Sequence, residues 1–220
     1  VEKYLSSSGA SSLRGVAEHR VEYFIRNHRK SSLIEMIDGI EAALIKMVLI
    51  NKMEMRRAPI IDRYNEFIRF LKNDIGVMLG REAHLALYYF SDKAGKLLGI
   101  QSNTPFTKAR SIIKSTAWDL FLLRMPESMF TNNPIELCIP YISTQEKQLH
   151  ALATLFTVER IFCFGDSGLT PQVGFDISNI SESIRRDIKD ELQPTSNSKT
   201  VRIPTGLNAA LFNQLASLCK

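Results

Sequence analysis

Two carboxylates stand where acidic side chains can do chemistry. Asp119 lies in the run from Ala117 to Glu127, beside the only tryptophan, Trp118, and ahead of four apolar residues and Arg124. Glu146 closes the run from Leu137 to Glu146, where an apolar strand pattern passes through Ser143 and Thr144 into a turn. An acid in the first turn of a helix is favoured by the helix dipole and projects from the end of the packed segment. An acid just past a parallel strand sits where ligands collect in open α/β sheets. Brought together, such groups repel; a divalent cation relieves the repulsion and stabilises charge building on a phosphate oxygen. Each acid taken singly also reads as an ordinary helix-start residue. Glu82, between Arg81 and His84, is a third and weaker candidate for the same cluster.

Cations that could guide a phosphate backbone lie upstream of Asp119. Lys108, Arg110 and Lys114 are the preferred contacts, with Arg56, Arg57 and Arg63 next. Amphipathic helices also carry such charges as a solvated face. Tyr88, Tyr89 and Phe90 could stack bases, although core packing at helical spacing is the stronger reading.

The elements that must position these groups follow from apolar periodicity and breakers. A Ser- and Gly-rich lead-in precedes a first helical segment, Leu13 to Arg29. Ser31 and Ser32 offer an N-cap, with Glu35 three residues after Ser32, to a long helix that must end before Pro59. A helix from Pro59 to near Gly76, one from Arg81 to Leu98 and a basic helix from Thr104-Pro105 come next. Ser115-Thr116 either caps or continues into the Trp118 segment, and Pro126 marks a kink or an end. Leu137 to Ile142 reads as a strand, Gln145 to Phe156 as a helix and Arg160 to Phe164 as a second strand, the size of a parallel crossover. Gly165 to Gly174 reads as a loop, Ser178 to Leu192 as helical and Leu207 to Leu218 as a closing helix.

Composition bounds the classes. The 220 residues are 45% hydrophobic, enough for a real core. The net charge of +5 is unevenly spread: residues 1 to 114 hold 19 Lys and Arg against 12 Asp and Glu, the remainder 9 against 11, so the front is the basic part. Cys138, Cys163 and Cys219 are too far apart for zinc knuckles and read as buried reduced thiols, and His19, His28, His84 and His150 form no ligand pattern with them. The longest apolar stretch, Leu33 to Ile50, is interrupted by Glu35, Asp38, Glu41 and Lys46, which excludes a membrane span. With no secretion signal, a cytoplasmic location is expected.

A helical region, a Trp-Asp helix, a short apolar strand and a Thr-x-acid turn, in that overall arrangement, resemble the PIN-like nucleases. The resemblance covers roughly residues 80 to 165. It implies a helix-rich α/β fold, three-layered around a small parallel sheet: an N-terminal helical region at 1–76, a PIN-like core at 77–166 and a C-terminal extension at 167–220. It also implies Mg²⁺ or Mn²⁺ as cofactor and cleavage of RNA, ahead of single-stranded DNA, by a toxin-like or defence effector. Asp119 matches the acid opening the family's late helix, Glu146 the acid of its Thr-x-Asp turn, and Glu82 the acid of the middle helices. The family's first aspartate, on an N-terminal strand, has no counterpart between Val1 and Leu33, and glutamate replaces the usual aspartate at 146. Either that strand lies upstream of Val1 or the site is incomplete.

Two other readings stand beside it. Arg14, four residues and His19 resemble the short motif of HEPN ribonucleases, which implies metal-independent RNA cleavage. A regulatory or scaffold subunit whose carboxylates merely cap helices is the non-catalytic alternative, bound to a protein partner or to itself.

Overall fold

The computed structural model describes residues 15, 32–94, 98–126, 142–163, 169–175, 177–178, 180–188 and 203–219. The chain divides into two compact units, Val1–Met36 and Ile37–Lys220; of the first, only residue 15 and the start of the long helix are described.

Helix α1, Ser32–Leu49, runs on into a π-helical turn at Ile50–Glu54, closed by the Met55 N–H donating to the Ile50 carbonyl at 2.9 Å. The sequence suggests an apolar stripe; the structure buries nearly the whole circumference. Ile40, Leu44, Ile45, Met47, Val48 and Ile50 all have 0% exposure, so this helix is the axis of the core and not a surface helix. Lys46 extends past the helix end to Glu54 at 2.8 Å, whereas Glu41 is buried with the apolar residues.

Helix α2, Ile60–Phe70, starts after Pro59, whose missing N–H costs nothing there, and is followed by a second π-turn at Leu71–Ile75. Gly76 stops it at φ +78°, a left-handed conformation that a Cβ disfavours. Helix α3, Gly80–Phe90, is buried from Arg81 to Phe90 and packs on α2 through an edge-to-face pair, Phe67 with Phe90, centroids 6.3 Å apart. It ends well before Leu98: Ser91 caps it and Asp92 turns the chain at φ +56°. Tyr88, Tyr89 and Phe90 are core residues, as their spacing indicates.

Helix α4, Phe106–Leu122, follows Pro105 and passes through Ser115-Thr116 without interruption. Helix α5 is short, Lys147–Ala153, because Phe156 already belongs to a strand. Strands β1, Phe156–Cys163, and β2, Leu169–Phe175, pair antiparallel with an irregularity between Val158 and Arg160. The stretch expected as loop therefore contains β2, whose alternation is broken by Pro171 and Gly174 and supported only by its cross-strand partners. No parallel pair occurs among the described residues; the strand expected at Leu137 to Ile142 lies outside them except for Ile142, which is irregular.

The hairpin covers α3. Phe156 and Phe175 are register partners, and their rings hold the buried His84 imidazole at 6.1 and 4.9 Å, with Tyr88 at 5.0 Å. Helix α6, Glu182–Ile188, lies along α2. Helix α7, Leu207–Leu218, has the bounds its periodicity indicates and closes the core: Phe212 meets Phe106 of α4 edge to face at 6.4 Å, and Asn208 donates to the Asp38 carbonyl of α1 at 3.0 Å. Cys219 is a buried free thiol. No helix among the described residues is long and apolar enough to cross a membrane.

Candidate functional site

Asp119 is carried by α4, in its last turn and not its first. Of the two alternatives at Ser115-Thr116, the helix continues, because Ala109, Ile113, Ala117 and Leu120 form one buried helical face across it. At this end the helix dipole opposes a carboxylate. The side chain is also largely buried, at 9% exposure. Burial, and then the nearby charge of Glu146, push the Asp119 carboxyl above the ordinary aspartate range.

That electrostatic coupling joins two segments well apart in the chain. Glu146 is the exposed N-cap residue of α5: its N–H donates to the Thr144 hydroxyl at 3.0 Å, and its carbonyl accepts from the His150 N–H at 3.0 Å. The polar turn inferred from Thr144 is thus real, and it leaves the Glu146 side chain at the surface, near enough for its charge to act on Asp119.

Glu82 does not join them. It is fully buried on α3, and its Oε2 accepts from the Arg124 guanidinium, which also donates to the Leu120 carbonyl at 3.1 Å. Arg81 stands close by, its guanidinium over the Phe156 ring at 5.0 Å. Burial first, then repulsion from Arg124, lower the Arg81 pKa to about 10, with Glu82 acting in the opposite sense. The buried charges of this corner are thereby committed to one another. Among the described residues no group of three His, Cys, Asp or Glu could hold a metal ion.

The basic residues divide in two. Lys108, Arg110, Lys114, Arg56 and Arg57 are exposed. Arg110 lies over the Phe212 ring at 5.4 Å, and both it and Lys114 face Glu41, a buried carboxyl on α1. Burial raises the Glu41 pKa and these two cations pull it back down. Arg63 is half-buried, donates to Asn51 and lies over Phe90 at 5.7 Å, so it serves the core. Arg14 and His19 lie outside the described residues.

Sequence reading missed a pocket of about 100 Å³ lined by Asn51, Lys52, Tyr89, Asp92 and Gln101 among others. Only one local signal pointed to it, an asparagine on the apolar face of a helix about to be interrupted. Trp118 is 43% exposed, packed edge to face on Phe121 at 5.7 Å, with Leu122 also 43% exposed one turn on.

Comparisons of the chain with protein-family models, with curated proteins and with solved structures found no match.

Proposed function

We propose that the chain is a metal-dependent nuclease of PIN-like type, acting on RNA or single-stranded nucleic acid at the edge where Asp119 and Glu146 meet. What supports the proposal is that two acids from separate segments lie near enough for the Glu146 charge to act on Asp119, which is itself largely buried. Crowded carboxylates with one partner raised toward protonation are a cation's natural competitor site for the proton. Mg²⁺ keeps several waters and binds through one or two carboxylates plus substrate phosphate, so two protein ligands fit it where a closed protein cage would not. Such a cation, when bound, supplies an activated water and neutralises charge on the phosphate.

The chain's own residues supply the rest. At 100° per residue, Lys108 falls within about 20° of Asp119 on α4 and about 16 Å away, so an extended backbone laid along that face meets Lys108 after the acids. Arg110 and Lys114 lie on the same helix and add positive potential, partly offset by Glu41. The finer PIN-like arrangement, with the Leu137–Ile142 segment in a parallel sheet, belongs to the same proposal.

Cleavage of a fluorogenic single-stranded RNA in Mg²⁺ or Mn²⁺, with EDTA as control, is the test. Asp119→Asn and Glu146→Gln should each lower the rate by at least about 100-fold, the scale of losing a group that stabilises transition-state charge, without lowering the melting temperature. Normal cutting by Asp119→Asn sinks the reading.

A second reading, the non-catalytic scaffold subunit, is favoured by the exposed pair Trp118 and Leu122, an apolar one-turn step at the end of α4. It requires no cleavage with any metal and a co-purifying partner that Trp118→Ser with Leu122→Ser releases.

A further inference from the structure

The exposed side of α4 ends in a tryptophan. Trp118 is 43% exposed, although an indole is among the largest apolar groups a chain can bury. It is braced from one side, where the buried Phe121 ring meets it edge to face at 5.7 Å and 89°.

The rest of that side is polar and carries no acid. Thr107, Lys108, Ser111, Lys114 and Ser115 are exposed, and the only carboxylate on α4, Asp119, is buried. At 100° per residue, Thr107, Ser111, Lys114 and Ser115 fall within about 60° of Trp118 and Lys108 within about 80°. With a rise of about 1.5 Å per residue, the row from Lys108 to Trp118 is about 15 Å long. Hydroxyl and ammonium groups donate to phosphate oxygens whatever the base sequence. Arg110 is turned to the Phe212 ring at 5.4 Å, so it adds potential more than contact, and Glu41 offsets part of the Lys114 charge. Asp119 follows Trp118 in the chain and lies about 100° round the helix, so a strand lying along the row reaches the Asp119–Glu146 edge at the indole.

We propose that Trp118 is the stacking platform for one unpaired base of a single-stranded nucleic acid whose phosphates lie along Lys108, Ser111, Lys114 and Ser115. This role rests on the nuclease reading only for where the strand is cut, and it adds what selects the strand. Every base has a π-face that an aromatic side chain can stack on, but in a duplex those faces are covered by the neighbouring pairs, so the platform favours single strands. A protein partner fits the row less well: its apolar part is one turn, Trp118 and Leu122, and cations and hydroxyls fill the remainder.

Trp118 is the only tryptophan, so its fluorescence reports the contact directly. The full chain is titrated in EDTA, where no metal-dependent cutting occurs, with a single-stranded oligoribonucleotide about ten nucleotides long, with its duplex, and with an abasic strand of the same length. Saturable quenching by the single strand is expected, with the duplex and the abasic strand binding at least about tenfold more weakly. Anisotropy of a labelled strand then reads the variants. Trp118→Leu should weaken single-strand binding about tenfold, the scale of one lost stack, and Trp118→Phe should stay within about threefold of the parent. Lys114→Gln should weaken the single strand and the abasic strand alike. Unchanged melting temperatures in the variants separate loss of binding from loss of fold. Absence of quenching by the single strand, equal binding of the abasic strand, or full affinity in Trp118→Leu overturns the proposal and leaves Trp118 to a protein partner. Quenching in EDTA with no cleavage in Mg²⁺ or Mn²⁺ sinks the nuclease reading and keeps the stacking role; cleavage without quenching does the reverse.

Discussion

Replacing Arg124 by methionine isolates what the buried charges of α3 contribute. Glu82 is completely buried, its Oε2 held by Arg124 and its Oε1 without a hydrogen-bond partner, while the Arg124 side chain is only 16% exposed. Removing one member of a buried pair leaves the other as an uncompensated charge and costs about 3–5 kcal/mol. Arg81 remains near Glu82, and losing Arg124 removes the repulsion that helps depress the Arg81 pKa, so the loss should sit near the lower end, about 3 kcal/mol. With a urea m-value of about 2 kcal/mol/M, the unfolding midpoint should fall by about 1.5 M. Urea melts followed by circular dichroism and tryptophan fluorescence measure this directly. The double variant Glu82→Gln with Arg124→Met removes the stranded charge and should be more stable than Arg124→Met alone, a non-additivity that double-mutant comparison exposes. A midpoint drop under about 0.5 M, or a double variant less stable than the single one, refutes the assignment of Glu82 to a structural ion pair.

Other expectations follow from the same structure. Because the folded Asp119 pKa is raised above its unfolded value, its contribution is fully present below the unfolded aspartate pKa and is lost as pH rises through the folded one. Asp119→Asn should therefore gain stability relative to the parent as pH rises from acid to neutral in metal-free buffer; thermal melts from pH 3 to 7 check the slope, and a flat difference contradicts it. Leu44→Ala at the centre of α1 should cost about 3 kcal/mol through an unfilled cavity and lower Tm by about 6–12 °C in calorimetry. Gly76→Ala meets no atom within 4 Å, so only the left-handed backbone penalty remains, about 1–2 kcal/mol by urea denaturation.

The sites divided in the same way as the fold between local and distant causes. Thr144 and Glu146 could be read as a turn into a helix because that turn is made by neighbours: the Thr144 hydroxyl serves the Glu146 N–H two residues on. Asp119 could not be given its true place on α4, since Ser115 and Thr116 are good caps, and only burial of Ala117 and Leu120 carries the helix through them. The Tyr89 pocket was illegible because its walls come from residues as far apart as Asn51 and Gln101.

By itself, the sequence determined where helices start and stop wherever a breaker acts on its own backbone. Pro59 and Pro105 begin α2 and α4, Gly76 ends the second helical run, and the periodic segment Leu207–Leu218 is a helix with those bounds. Tertiary structure alone decided that α1 is buried all round, that β2 forms where turn residues abound, and that Glu82 meets Arg124, its partner 42 positions away. Propensity and capping act over a few residues, whereas burial and charge pairing depend on which distant surfaces arrive, and that is known only when the chain has closed on itself.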